Sequence, residues 1–310
     1  MARTIQIVVS SEKTDPLISE LRKMPGLIGL RVQRQSSIQP PGDVISLDAT
    51  NRGLHAAIRL LVAHGIADGA VSSITTADPL GVVSASMGQQ ITRDTSDATW
   101  EEMELLIAKS SNMTANGILI MAIAGVVAAV GIANNALHIV IGAMVIAPGF
   151  EPISRISLGL VARGRAWRHG VTDTALGYGG LMAGAALAAL VLQAVGQTPL
   201  EGKPSYLAPG VLVAYWTTIS ASSLVLAGFA GVAGALLIAT NKEVLTAGVM
   251  IALALVPTAA ITAMALVSGE LALGAKSASR WLLEAGLVAA MSAAVFLWKR
   301  LWVQQRAMID

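Results

Sequence analysis

Two patterns of apolar and polar positions divide the chain near residue 110. Over 1–110 charged and apolar residues alternate as in a domain bathed in water. Beyond Asn116 the sequence is mostly Gly, Ala, Val, Leu and Ile, with charges gathered in short clusters. In the first region, 5–9 is a β-branched run that reads as a strand. Asp15-Pro16 reads as a helix start, with Asp near the N-cap and Pro at the first helical position. Leu17, Leu21 and Met24 would form its apolar face, with Gly26 just past its end. Alternation over 27–35 predicts a half-buried strand, Pro40-Pro41-Gly42 a turn, and 44–47 the next strand. Asn51 would cap a second helix carrying Leu54, Ile58, Leu61 and Val62 and closed by Gly65, before a fourth strand at 70–75. The order β-α-β-β-α-β predicts a ferredoxin-like α+β domain over 1–95.

That arrangement hosts many functions. The stretch contains no Gly-rich phosphate loop, acid pair or aromatic RNA-binding signature. His55 and His64 stand nine apart on the second helix, so they point to different faces and read as surface or cap residues, not metal ligands. From its position, the domain is expected to regulate or to assemble.

Residues 97–112 form a linker. Trp100, Met103, Leu106 and Ile107 share one stripe while Glu101, Glu102 and Lys109 lie elsewhere, which predicts an amphipathic helix lying on a membrane or feeding the first span. Apolar runs then predict spans at 115–133, 136–162, 170–195, 211–239, 243–267 and 280–298. The expected membrane domain is all-α, over 113–300, with a tail at 301–310. Six spans put both termini on one side. Lys109, Arg163, Arg165, Arg168, Lys242, Lys299, Arg300 and Arg306 fall on the side of the termini, and Lys203, Lys276 and Arg280 fall opposite. Eight against three predicts cytosolic termini. Trp100, Trp167, Trp281, Trp298 and Trp302 all fall at predicted interfaces.

A repeat lies inside the apolar region. Residues 125–144 and 231–250 align at an offset of 106, sharing Gly125/Gly231, Val126/Val232, Ala129/Ala235, Ile132/Ile238, Ala133/Ala239, Asn135/Asn241, Gly142/Gly248 and Met144/Met250. Each copy runs on into proline, Pro148 and Pro152 in one and Pro257 in the other. Three spans separate the copies, which predicts a three-plus-three inverted repeat with broken helices. Two prolines and Gly149 within 148–152 should unwind the helix locally, and freed backbone groups must then face protein or a water-filled cavity. Pro148, Gly149, Pro152 and Pro257 are the expected breaks.

Glu151 lies inside the first break and Arg155 follows one turn later. Ionisable groups inside spans are functional candidates, and a spacing of four also allows a purely structural ion pair. Ser110, Ser111, Asn112, Thr114 and Asn116 precede the first span, and Thr217, Thr218, Ser220, Ser222 and Ser223 form a comparable cluster in the fourth. Their matched placement suits a polar lining, although hydroxyls often bond back to their own helix. The candidate pathway residues are Glu151, Arg155, Asn135, Asn241, Ser222 and Ser223. Gly180-x-x-x-Gly184 suits close packing inside the domain, and the lone His138 is not read as a ligand.

Composition narrows the classes. Charged residues make up 13% and hydrophobic ones 54%, about half the charge of a water-soluble globular chain. A net charge of +2 does not suggest nucleic acid, and the absence of cysteine excludes disulfides and thiol chemistry. The first residues lack a signal-peptide core, so the first domain is expected to remain in the cytosol. Intramembrane acids number essentially Glu151, Glu284 and Asp173, too few for a catalytic cluster, so no enzyme activity, cofactor or metal is expected.

Around Gly142-Ala-Met-Val-Ile-Ala-Pro148, preceded by Asn134-Asn135, and again at 251–257, the chain resembles the prokaryotic membrane proteins grouped as domain of unknown function 389. The resemblance covers about 112–268. Family members commonly carry Leu-Met-x-Pro after the first proline, where this chain has Gly149-Phe150-Glu151-Pro152, so no role for Glu151 carries over. The resemblance implies a membrane architecture and no substrate. The functional expectation is a multi-pass transporter or channel-like protein of a prokaryotic cytoplasmic membrane. It would move an unknown small solute or ion under control of the cytosolic domain, and could assemble as a homo-oligomer. The other reading is a non-transporting scaffold or signalling protein whose soluble domain recruits a partner.

Overall fold

The computed structural model describes residues 3–61, 71–77, 98, 100–195, 210–242 and 245–303. The chain divides into two compact units between Thr99 and Trp100.

The first unit contains β1 (Arg3–Val9), α1 (Ser11–Leu21), β2 (Leu27–Ile38), β3 (Pro41–Ala49), α2 (Asn51–Leu61) and β4 (Val71–Ala77). Its strands form one sheet in the order β2-β3-β1-β4, every neighbouring pair antiparallel. Alternation along β1 puts Ile5, Ile7 and Val9 on one face, where they are buried with Ile45 and Leu47 of β3, Leu17 and Leu21 of α1, and Leu54 and Leu61 of α2. Two local expectations need correction. Helix α1 begins at Ser11, so Pro16 lies inside it. The turn ahead of that proline is held from outside the helix, by Ser11 Oγ donating to Asp43 Oδ1 at 2.9 Å. The cap of α2 is Thr50 and not Asn51, since Thr50 Oγ1 accepts from Gly53 N at 3.3 Å. Val62, His64 and Gly65 lie outside the described residues.

Asp43 is fully buried and collects donors. The Gln35 N–H and Ser11 Oγ reach Oδ1, both at 2.9 Å, and Arg34 Nη1 reaches Oδ2 at 3.0 Å. The Gln35 bond above all, with Thr14, Ser11 and Arg34, holds this carboxyl well below the ordinary carboxylate range despite burial, which opposes the shift. A depressed folded-state pKa contributes stability that is present above the unfolded value and lost as pH falls toward the folded one. Hydrogen exchange at β2 and β3, corrected for intrinsic pH dependence, should therefore lose protection once pH drops below about 4. Asp43→Asn should be less protected at neutral pH and show a flatter profile. An unchanged profile would remove Asp43 as the cause.

The second unit is helical. Its elements are α3 (Trp100–Ser111), α4 (Ala115–Ala133), α5 (Leu137–Ile146), α6 (Phe150–Ala162), α7 (Ala166–Ala194), α8 (Val211–Thr217), α9 (Ala221–Ala239), α10 (Thr246–Ala252), α11 (Leu255–Val267) and α12 (Leu271–Trp298), followed by a π-helical turn, Lys299–Val303. Among the described residues four helices, α4, α7, α9 and α12, are long and apolar enough to cross a bilayer, or up to six spans if each bent pair, α5–α6 (44°) and α10–α11 (47°), is one span. This is a membrane protein with transmembrane helices. Leu119, Leu187, Val225, Phe229 and Leu282 are more than half exposed, as lipid-facing side chains are. Helix α11 is the inner element, buried from Leu255 to Ala265.

One order of elements occurs twice. A short helix, an unwound step and a 19-residue helix lead to a left-handed turn, then to a bent pair ending in a 13-residue helix, then to a helix of 28 or 29 residues. The described residues of this unit with φ between +52° and +75° are Asn135, Arg163, Asn241 and Gly269, which form two pairs each 106 apart. Both Asn turns close the same way. Asn135 N donates to Ile132 O and Ala136 N to Gly131 O, as Asn241 N does to Ile238 O and Lys242 N to Leu237 O. Thr114 and Ser220, also 106 apart, cap α4 and α9 with their hydroxyls.

Several boundaries differ from expectation. The stretch 211–239 is not one helix, because 218–220 unwinds between α8 and α9. Helix α12 begins at Leu271, so Lys276 and Arg280 are helical residues and not loop charges, and Trp281 lies inside a span. Trp100 is 2% exposed, and its indole N–H donates to Glu104 Oε1 at 3.3 Å. Its neighbours Met103 and Ile107 are buried with it, so α3 uses its apolar stripe for protein packing.

Candidate functional site at the helix breaks

The first break comprises Ala147, Pro148 and Gly149, and the second Leu253 and Ala254. Pro148 has no N–H to continue α5, and Gly149 stands at the N-cap of α6. Pro152 and Pro257 do not lie in the breaks. Each is the third residue of the helix that follows, where a backbone N–H has no intrahelical partner anyway. The second break contains no proline, but Leu253 stands four residues before Pro257, which has no N–H to donate to the Leu253 carbonyl and whose ring crowds it. The backbone groups freed there find tertiary partners.

Those partners come from the long helices. Tyr178 of α7 donates its hydroxyl to Gly149 O at 3.2 Å across the first break. Glu284 of α12 accepts from Ala254 N at 2.9 Å across the second. Tyr178 also packs edge-on against Trp281 of α12, ring centroids 4.9 Å apart, which links the two halves. A Cβ on Gly149 would lie 2.5 Å from the Tyr178 hydroxyl and 3.0 Å from Met250 Cε, so glycine is what lets α10 and α7 close on the first break.

Glu151, half-buried in the first turn of α6, accepts from Thr246 Oγ1 of α10 at 3.1 Å. This bond ties one bent pair to the other. A carboxylate in the first turn of a helix is also favoured by the helix dipole. The partner of Arg155 is not on its own helix. Its Nη1 lies 2.6 Å from Asp173 Oδ2 of α7 and 3.3 Å from Ser111 Oγ. Asp173 Oδ1 in turn accepts from Met113 N at 3.2 Å, in the unwound step between α3 and α4.

The second half has a comparable staple. Arg280 and Glu284 of α12 form an ion pair at 2.9 Å, with side chains 4% and 3% exposed. Arg280 Nη1 donates to Thr218 O at 2.8 Å and to Tyr215 O, the open C-terminal end of α8. A cation at a helix C-terminus and a carboxylate at a helix N-terminus both complement the local dipole. In both halves a buried ion pair thus supplies the backbone groups freed by the unwound step before a long helix.

Asn135 does more than turn the chain, since its Oδ1 accepts from Leu212 N of α8 at 3.3 Å. Asn241 occupies the matching turn. Ser222 and Ser223 line a cavity beside Arg280. Thr217 and Thr218 instead bond back to Val213 O and Ala214 O, at 2.8 and 2.7 Å. Among the residues that build the site, Tyr178 and Thr246 carry no sequence signal, and by sequence Arg280 reads as a loop charge. Arg280 and Glu284 stand four apart in an otherwise apolar run, a pattern that marks an intramembrane pair.

Comparison with known proteins adds a family. The profile of the family described as domain of unknown function (DUF389) matches residues 144–298, from the end of α5 through α12. No curated protein and no solved structure matches the chain. The matched segment contains both helix breaks, Glu151, Thr246 and the Arg280–Glu284 pair, and on that match the chain belongs to the DUF389 family.

Proposed function

We propose that the protein is a transporter or channel-like protein whose pathway passes the crossing of the two bent helix pairs. The carrying observation is the Glu151–Thr246 bond, which places an ionisable group between two broken helices from opposite halves. Each bent pair is read as one span. Bends of 44° and 47° deflect the chain without reversing it. The 10 and 13 residues of α5 and α6 reach about 35 Å, enough for a bilayer core.

Six spans make the duplicated order of elements an inverted repeat, because the Asn135 and Asn241 turns are then three spans apart. With Lys276 and Arg280 removed from the loops, only Lys203 of the three opposite charges remains, which favours cytosolic termini in a prokaryotic cytoplasmic membrane. The first unit is read as ferredoxin-like from its strand order, and as the regulator of the second. Glu151 would exchange a proton or cation, or orient a solute.

Proteoliposomes test this. Vesicles containing the protein should dissipate at least one imposed gradient of protons, sodium, potassium or small anions faster than empty vesicles. Glu151→Gln should slow that flux at least tenfold while keeping its unfolding temperature, since the amide oxygen can still accept from Thr246. Vesicles as tight as empty ones to every gradient would sink the transport reading.

A further inference from the structure

The unwound step between α8 and α9 opens a cavity of about 340 Å³, lined by Tyr215, Thr218, Ser220, Ser222, Ser223 and Arg280. A smaller space of about 110 Å³ shares Tyr215, Ser223 and Arg280 with it and continues to Glu284 and the Leu253–Ala254 break. Arg280 therefore stands between an open cavity and the second helix break, and it is itself only 3% exposed.

Hydrogen-bond capacity around the cavity is one-sided. The acceptors at the end of α8, Tyr215 O and Thr218 O, are already taken by Arg280 Nη1. Arg280 Nε is taken by Glu284. Nη2 makes no hydrogen bond among the described residues, and Arg280 lines the cavity. The N-terminus of the 19-residue α9 also lines the cavity. There Ser220 and Ser223 cap each other reciprocally, while Ser222 Oγ lies 2.9 Å from Ser220 Oγ and is exposed to the cavity. The cavity thus offers a buried guanidinium, serine hydroxyls and the positive end of a helix dipole, while its main acceptors are spent.

We infer that this cavity binds a small oxyanion, held between Arg280 Nη2, Ser222 and the first turn of α9. The inference does not depend on transport. Two sources share that chemistry, a free solute such as phosphate and the phosphate of an anionic lipid. The 19 residues of α9 put the cavity about 28 Å from the Asn241 turn, toward one membrane face where lipid phosphates lie. Phe229, 73% exposed, stands two turns along α9 from Ser222, where an acyl chain would run.

The full chain, purified in a neutral detergent and stripped of lipid, tests this with two probes. One is inorganic phosphate against chloride at equal ionic strength, and the other is phosphatidylglycerol against phosphatidylcholine in mixed micelles. A saturable rise in unfolding temperature with either probe is expected. Phosphate alone sufficing identifies a solute site, and phosphatidylglycerol alone a headgroup site. Arg280 variants lose the structural pair, so the deciding variant is Ser222→Asp. An acid in the first turn of α9 keeps or raises basal stability, yet fills the site with negative charge. The ligand shift should weaken at least tenfold in apparent affinity. No saturable shift with either probe, or an equal shift in Ser222→Asp, overturns the inference.

Discussion

Glu284→Ala should lower the stability of the membrane unit by about 3–5 kcal/mol, the usual consequence of leaving one partner of a buried ion pair alone. Two losses combine. Arg280 keeps its charge in a site where it is 3% exposed, and Ala254 N loses its acceptor at the second break. The double variant Arg280→Met, Glu284→Leu should recover much of the loss, because an apolar pair of similar volume removes the stranded charge. Recovery should be incomplete, since Tyr215 O and Thr218 O lose the guanidinium that closes the end of α8. Reversible unfolding in micelles, followed by tryptophan fluorescence, measures both. All six tryptophans, at 100, 167, 216, 281, 298 and 302, lie in the second unit, so the signal reports that unit. A loss below about 1 kcal/mol for Glu284→Ala would place the pair in water, since exposed ion pairs contribute no more than that.

The second large effect is expected at the seam of α4 and α7. A Cβ on Gly184 would fall 1.9 Å from Ala122 O, and one on Gly125 would fall 2.0 Å from Leu181 O. Both contacts are with backbone, which cannot rotate aside. Gly184→Ala must therefore push two spans apart by about an ångström, at about 1–3 kcal/mol or more. Gly125→Ala added to it should cost less than the sum, because the first substitution already opens the seam. Gly179→Ala is the control. Its Cβ meets nothing within 4 Å, and alanine is the better helix former. Unfolding temperatures in the order Gly179→Ala, unsubstituted, Gly184→Ala are expected. A Gly184→Ala protein as stable as the unsubstituted one would mean that α4 and α7 do not touch there. Gly231, the counterpart of Gly125, faces α12 less tightly, since a Cβ there would lie 3.1 Å from Val288 Cα, so the matched glycines serve matched seams of different closeness.

Sequence periodicity reached far into this fold. Alternation in 5–9 and 27–35 was enough for β1 and β2, and the apolar runs were enough for α4 and for the region of each bent pair. These are local properties, since burying a strand face or a span needs the same residue pattern whatever its neighbours are. The offset of 106 was also readable, because a left-handed turn that closes a helix favours Asn or Gly, and Asn135/Asn241 kept that requirement visible. Arg163, paired with Gly269 in the same conformation, did not advertise itself, since nothing in an arginine suggests positive φ.

What only the tertiary structure decided is where the polar groups go. Pro257 explains why the helix breaks at Leu253, four residues earlier, but not that Glu284, thirty residues away, takes the Ala254 N–H freed there. Arg155 looked paired with Glu151 by spacing, yet Asp173 and Thr246 divide those two charges between different helices. Arg280 looked like a loop charge until α12 was seen to begin at Leu271 and to bring its guanidinium to the end of α8. An apolar or alternating pattern states which face is buried. It does not state which buried donor meets which acceptor, because that depends on how separate helices cross, and the crossing is set by close approaches such as Gly125 on Leu181 and Gly184 on Ala122.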